Sequence, residues 1–398
     1  MEELRIRFGE DDDNKKARIK VIGVGGAGNN AINRMIEASL AGVEFIAINT
    51  DAQALEMSKA TRCLPIGKSG LGAGADPELG RQAMEEDRDK LFDFLMDTDM
   101  VFIAAGMGGG TGTGASPIVA QVAKEMGILT VAVMTKPFLF EGRQRMVRAE
   151  EGIRKMKEYV DTLILIPNQR LVAIIERGTP LQDAFRKADE ILLQATRGIS
   201  DLVMVPGLIN LDFADVKSVM SEGGDALMGV GTARGENRAI EAAQQAIASP
   251  FMEDVCIEGA KAVLANITGN LSFDDYNEAS NVVHEAVGDD ANIFVGAVID
   301  PNSDDEVRVT VIATGFNCVD SRKAKLGQSE TKIAGDISRQ VPYRPKRLVF
   351  DRPNVTTPSI ESVEATAEAK KVPFERPAAV PVNLDDRNIP AFLRKQMD

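Results

Sequence analysis

The chain has 398 residues, 44% of them apolar, and a formal net charge of −14, enough length for two packed domains plus solvated segments. Trp is absent and aromatics make up 5%, which argues against a base-stacking platform, and the acidic balance argues against a general nucleic-acid binder. A single histidine and three scattered cysteines exclude a histidine-built metal cluster and a disulfide framework; with no membrane-length apolar run, a reducing cytoplasm is expected.

Residues 1–16 are polar, with Asp11-Asp-Asp13, and read as a loose extension. Apolar runs then alternate with helical patterns. The expected strands are Ile19–Val24, Phe45–Asn49, Met100–Ala105, Leu129–Met134 and Thr162–Ile166. Near-continuous apolar strands suit a sheet covered on both faces, so the fold class is α/β with a doubly wound parallel sheet. Ligands bind such sheets beyond the C-terminal strand ends, where the glycine-rich loops of this chain fall.

The first loop, Gly23-Val-Gly-Gly-Ala-Gly-Asn-Asn30, satisfies G-x-G-x-x-G and opens a helix. Taken alone it suggests a dinucleotide-binding oxidoreductase, with the phosphates on a helix N-terminus. The acidic residue expected after the second strand is replaced by Asn49-Thr-Asp51-Ala-Gln53. Gly70-Leu-Gly-Ala-Gly-Ala-Asp-Pro77 adds another loop, and Gly67-Lys-Ser69 is no Walker motif because Arg62 stands where its leading glycine belongs. Gly108-Gly-Gly-Thr-Gly-Thr-Gly114, between a strand and a helix ending at Gly127, is the most informative stretch. Five glycines and two threonines offer bare N–H groups and hydroxyls to several anionic oxygens at once. Together the loops exceed what a pyrophosphate needs and could surround a triphosphate.

Thr179-Pro-Leu-Gln182 reads as a capping box opening a helix of about 25 residues, roughly 37 Å, that ends at Pro206-Gly207. Leu181, Phe185, Ala188, Ile191, Leu192, Ala195, Ile199 and Leu202 recur along it at helical spacing. Helices over Asp215–Glu222, Asn237–Ser249 and Asp274–Ala286 and strands over Val263–Thr268, Ile293–Ile299 and Val307–Ala313 make a second, smaller α/β domain. His284 falls on one of these helices and reads as a surface residue. Seven of the 17 prolines lie in 319–384, where 12 Lys and Arg face 8 Asp and Glu. That stretch reads as a disordered linker ending in a docking peptide, Asn388-Ile-Pro-Ala-Phe-Leu-Arg-Lys395. The domain reading is therefore 1–16, 17–178, 179–205 for the long helix, 206–318, 319–384 and 385–398.

The run at 108–114, with Asn49–Gln53, Lys136-Pro-Phe-Leu-Phe-Glu-Gly142, Pro167-Asn168 and Asn210-Leu-Asp-Phe-Ala-Asp215 in order, resembles the tubulin/FtsZ superfamily, specifically its bacterial cell-division GTPases. The resemblance spans roughly 17–318 and the final peptide. It implies a self-polymerising GTPase that binds GTP or GDP with Mg2+ and forms head-to-tail filaments in the mid-cell division ring. Phosphate contacts are implied for Gly25, Gly26, Ala27, Gly28, Asn29 and Asn30, and for Gly108, Gly109, Gly110, Thr111, Gly112, Thr113 and Gly114. Asp51 and Asn168 join the nucleotide site, and Ala73 and Gly74 approach the γ-phosphate. Glu141 and Arg145, expected on one helical face, contact the ribose and a phosphate. Phe185 stacks on the base. Asp189 accepts from the guanine N1–H and 2-amino groups, which adenine lacks, while Asn30 reads the opposite edge. Asn210, Asp212 and Asp215 are catalytic in the neighbouring subunit's pocket, although an N-cap with a first-turn acid is the plainer reading of the two aspartates. Docking of Ile389–Lys395 to membrane-tethering adaptors such as FtsA or ZipA is likewise implied. The usual acid directly before Ile-Pro is here displaced by Arg387-Asn388.

Overall fold

The computed structural model describes residues 17–316, apart from Arg177, Pro206, Asn210, Glu222, 253–256, Asp289, Pro301, Asn302 and Asp304. The expected N-terminal extension, the linker, the docking peptide, Cys256, Cys318 and Asn210 lie outside the described residues.

Ten strands form one sheet in the order β3-β2-β1-β4-β5-β6-β7-β10-β8-β9. The first six are β1 (Ile19–Val24), β2 (Val43–Asn49), β3 (Arg62–Pro65), β4 (Met100–Gly106), β5 (Leu129–Lys136) and β6 (Thr162–Pro167). Their pairings are all parallel. Every residue of β1 is buried because the strand's two faces enter separate cores. Val21, Phe102, Val131 and Val133 join one core; Ile22, Val24, Ile46 and Ile103 join the other. The two-residue period of the strand makes that division. α1 (Gly25–Glu37) and α8 (Leu181–Met204) cover the first face. α3 (Pro77–Glu86), α4 (Arg88–Leu95), α5 (Thr111–Glu125) and α6 (Arg143–Met156) cover the second. Two short helices, α2 (Ala52–Glu56) and α7 (Asn168–Leu171), complete this half.

The second half holds α9 (Phe213–Ser221), α10 (Arg238–Ile247), α11 (Phe273–Val287), β7 (Gly224–Arg234), β8 (Ala262–Gly269), β9 (Asn292–Ile299) and β10 (Glu306–Thr314). β10 runs antiparallel to β7 and β8, so this part of the sheet is mixed. Three residue pairs, Thr162–Ile164 with Gly224–Ala226, continue the sheet from β6 into β7.

Two strands have no counterpart among the expected elements. β3 is a four-residue edge strand with only Leu64 buried, too short for a period to register. β7 contains three glycines within Gly224-Asp-Ala-Leu-Met-Gly-Val-Gly-Thr-Ala-Arg234, and glycine lowers strand propensity. Two of them serve close packing: a Cβ on Gly229 or Gly231 would lie within 2.0 Å of the Ala246 or Ala242 carbonyl of α10. Alanines 239, 242, 243 and 246, all buried, complete that tight helix-on-strand contact.

The expected capping box at Thr179 does not form. Pro180 is extended and serves as the N-cap, and the Thr179 hydroxyl donates to the Glu176 carbonyl at 2.8 Å. α8 then runs 24 residues, about 36 Å, and buries Ala188, Ile191, Leu192, Ala195, Ile199 and Leu202; Leu181 stays exposed. His284 is exposed near the end of α11.

Candidate active site

The C-terminal ends of β1, β4, β5 and β6 open into a cleft of about 800 Å3, solvent included. Two helix N-termini meet there. α1 begins at Gly25, whose φ of 73° turns the chain sharply out of β1. α5 begins at Thr111. Neither has a side-chain cap or an acidic residue in its first turn, so their leading N–H groups and positive dipole ends remain available to anions.

The glycines divide into two kinds. A Cβ on Gly28 would lie 2.3 Å from the Ala104 carbonyl, one on Gly112 2.6 Å from the Gly106 carbonyl, and one on Gly114 1.9 Å from the Pro77 carbonyl. These glycines let the loops and helices touch. Gly26, Gly74 and Gly109 line the cleft and would have nothing within 4 Å of an added Cβ. That open space fits a phosphate chain pressed against bare backbone.

Hydrogen bonds fasten the loops. With its amide in the orientation that satisfies its neighbours, Asn29 donates to the Gly23 carbonyl at 2.8 Å and the Gly25 carbonyl at 3.2 Å, and accepts from Asn49 Nδ2 at 3.1 Å. Asp51 caps α2 by accepting from Ala54 N at 3.2 Å. The Gly108 N–H donates to Thr113 Oγ1 at 2.8 Å, and the Gly110 N–H to the Gly74 carbonyl at 3.2 Å. Of the residues expected to hold phosphate, Gly26, Ala27, Gly74, Gly109, Gly110, Thr111 and Gly112 line the cleft. Gly25, Gly28, Asn29, Ala73, Gly108, Thr113 and Gly114 are buried in the frame behind it, and Asn30 is exposed outside it.

The rest of the cleft is built from β5, β6 and α8. Glu141 ends a 3-10 turn (Leu139–Glu141), and Gly142, with φ of 99°, separates it from α6. Glu141 and Arg145 are therefore not on one helix, yet they pair at 3.1 Å, with Glu141 also accepting from Phe138 N at 2.8 Å. Asn168 is buried and its Oδ1 has no hydrogen-bond partner, although it lines the cleft. An unpaired buried amide oxygen costs stability and fits a site awaiting a donor. Phe185 is half-buried and meets Phe138 edge to face, with centroids 5.5 Å apart. One turn later, Asp189 is mostly enclosed and sits 3.8 Å from Arg34 of α1. Burial pushes its carboxyl up to about 7, and the guanidinium pulls the other way.

Thr135, Pro137 and Ala188 also line the cleft; none was expected as a site residue, although Pro137 stands in the 136–142 motif and Ala188 among the apolar positions of the long helix. The signal existed for the first two, which sit at a strand's C-terminal end, where such sheets bind ligands. Among the described residues no group of three His, Cys, Asp or Glu could hold a metal.

Asp212 and Asp215 do not enter this cleft. Between Asp189 and Met204, α8 climbs about 22 Å, and Met204 packs on Gly42, just before β2. That is the N-terminal edge of the parallel strands, opposite the cleft. Asp212, eight residues beyond Met204, is exposed, its carbonyl accepting from Asp215 N at 3.0 Å, and Asp215 lies in the first turn of α9. The preceding segment is pinned to the edge strand β9 by the Ile209–Ala297 bridge.

Residues 18–176 match the Tubulin/FtsZ family, GTPase domain, and residues 224–317 match the FtsZ family, C-terminal domain. The solved FtsZ dimer of M. jannaschii, in its empty state, is 44% identical over 76% of this chain and 89% of its own, with a TM-score of 0.73. This chain belongs to the FtsZ/tubulin family. Like other members it is a GTPase that takes GTP and releases GDP, which disfavours the oxidoreductase suggested by the first glycine loop alone. CetZ2 from Haloferax volcanii, solved as a GTPγS-bound protofilament, shares the fold at 20% identity, with a TM-score of 0.66 over 78% of this chain and 97% of its own. CetZ1 from the same organism, a GDP-bound monomer, gives 22% and 0.66 over 78% and 98%. Among the described residues no helix is long and apolar enough to cross a membrane.

Proposed function

We propose that this chain is a cytoskeletal GTPase of the cell-division ring that polymerises head to tail and completes each active site with acids from the next subunit. The observation that carries this reading is the separation of its parts. The phosphate cradle lies at one edge of the sheet, whereas Asp212 and Asp215 stay out of the cleft and follow the far end of α8, which reaches the opposite edge at Met204, about 22 Å on from Asp189. Acids so placed cannot reach their own triphosphate, but a heterologous interface brings one pole onto the other.

In this reading the open faces of Gly26 and Gly109, with the Thr111 hydroxyl, take the phosphates, and Gly74 stands by the γ-phosphate. Arg145 neutralises a phosphate, Glu141 accepts from a ribose hydroxyl, and Phe185 stacks on the base. The Asp189 carboxylate accepts two guanine donors, and Asn168 Oδ1 gains a partner. Asp212 and Asp215, with Asn210, orient and polarise the attacking water of the neighbour. Hydrolysis by positioning and electrostatics needs no covalent intermediate. The cradle offers N–H groups and hydroxyls but no acid cluster, which fits an Mg2+ carried in on phosphate oxygens; the ion would offset their charge. The peptide Ile389–Lys395 would tether the filament at mid-cell through an adaptor such as FtsA or ZipA.

Phosphate release per protomer, measured against protein concentration together with light scattering, tests this reading. Specific activity should rise steeply with the onset of scattering. Equal turnover per molecule in dilute, unassembled protein would end the shared-site proposal.

A further inference from the structure

We infer that Thr50 is a positioning residue for the phosphate cradle: its hydroxyl aims the Thr111 hydroxyl at the nucleotide, and its backbone links that hydroxyl to the loop carrying Gly74. The inference rests on the GTPase reading of the cleft. Thr50 follows the last residue of β2, is 5% exposed and does not line the cleft. Its Oγ1 lies 2.6 Å from Thr111 Oγ1.

A hydroxyl has one proton and two lone pairs, so only one of the two threonines can donate across that contact. Thr111 lines the cleft, and a phosphate oxygen can only accept. Once a phosphate is present, the Thr111 proton goes to it. The threonine pair then survives in one sense alone, with Thr50 donating and Thr111 accepting. A hydroxyl that already accepts is a better donor, and its rotor is fixed before the ligand arrives.

The backbone of Thr50 closes a circuit. Its carbonyl accepts from Gly72 N at 3.0 Å, and two residues on, the Gly74 carbonyl accepts from Gly110 N at 3.2 Å. Gly110 precedes Thr111, whose hydroxyl returns to Thr50. Any displacement of Gly74 in the cleft is thereby transmitted to the Thr111 hydroxyl through two routes of hydrogen bonds. The flanking side chains are committed elsewhere, Asn49 to Asn29 and Asp51 to the α2 cap.

Thr50→Val keeps the branched shape and removes the hydroxyl; Thr50→Ser keeps the hydroxyl. GTP dissociation constants and steady-state GTPase kinetics of the full chain should show the valine variant weakened by up to roughly tenfold, as expected for the loss of one neutral hydrogen bond. The serine variant should stay within about twofold of the parent on the same scale. In a double-mutant cycle, Thr50→Val should cost almost nothing further in a chain that already carries Thr111→Val, a coupling that general loosening would not produce. Thr50→Ala serves if the valine variant does not fold. Unaltered GTP binding in Thr50→Val, a serine variant as weak as valine, or additive losses in the cycle would each overturn the inference. Failure of the unmodified chain to bind GTP would instead overturn the reading of the cleft itself.

Discussion

Arg34 Nε lies 3.8 Å from Asp189 Oδ2, joining α1 to α8 at the inner end of the cleft. Asp189 is the more enclosed partner, and its carboxyl is pushed up to about 7 by burial against the pull of Arg34. A carboxyl whose two oxygens accept both guanine donors must be ionised to do so, and its own surroundings resist that.

GTP affinity should therefore fall as pH drops through about 7. The sign follows from linkage: the bound state favours the carboxylate, so it binds fewer protons than the empty one, and acid weakens binding by up to about tenfold per pH unit. Titrations between about pH 5.5 and 8 should show this slope, move it upward in Arg34→Gln, and lose it in Asp189→Asn. The asparagine control separates Asp189 from the nucleotide's own titration.

Asp212→Ala should bind GTP like the parent and hydrolyse it about 100-fold more slowly. A second variant with its cradle blocked, Gly109→Val, should be inactive for the opposite reason. Mixing the two should restore part of the phosphate release, because the intact cleft of one can meet the intact acids of the other. A mixture no more active than the variants alone would place the acids' role within one chain.

The two kinds of glycine should respond oppositely to alanine. Gly114→Ala drives a methyl into the Pro77 carbonyl and should destabilise the packing of α3 on α5 by about 1–3 kcal/mol, read from denaturant unfolding. Gly26→Ala meets no atom within 4 Å and sits in a helix. It should leave stability unchanged or raised by about 0.5–1 kcal/mol while weakening GTP binding, since the methyl occupies phosphate space.

Away from the site, Arg238 donates to both oxygens of Asp275, at 3.1 and 2.7 Å, and also pairs with Asp305. The guanidinium, helped by Ser272, holds the Asp275 carboxyl down at about 2. A depressed folded pKa stabilises above the unfolded value and loses that contribution as pH falls toward the folded one. Arg238→Met should cost about 2 kcal/mol at pH 7, with the difference shrinking between about pH 4 and 2. Urea unfolding of both proteins across that range measures it.

Much of the framework was legible in the chain. β1 has the expected bounds, and β4, β5, β6, β8, β9 and β10 differ from expectation by one or two residues. Most carry apolar side chains on both faces, and β10 alternates Val307, Val309 and Val311 with Arg308 and Thr310, so either pattern is read without knowledge of neighbours. β7 escaped because its glycines carry no strand signal; they are there for α10, which only folding brings near. Thr179 likewise fits a capping motif, but Pro180 stays extended and the helix starts later.

Short runs of adjacent residues are enough to specify the parallel α/β framework, the loops rich in bare N–H groups, and the family. Folding is needed to settle which glycines face the cleft and which fill contacts, that Glu141 and Arg145 meet across a break between two elements, and that Thr50 reaches Thr111 from 61 positions away. It also left Asp212 and Asp215 out of the cleft, beyond the far end of α8. Such relations depend on distances between residues far apart in the chain, and those distances exist only once the strands have paired and the helices have packed on them.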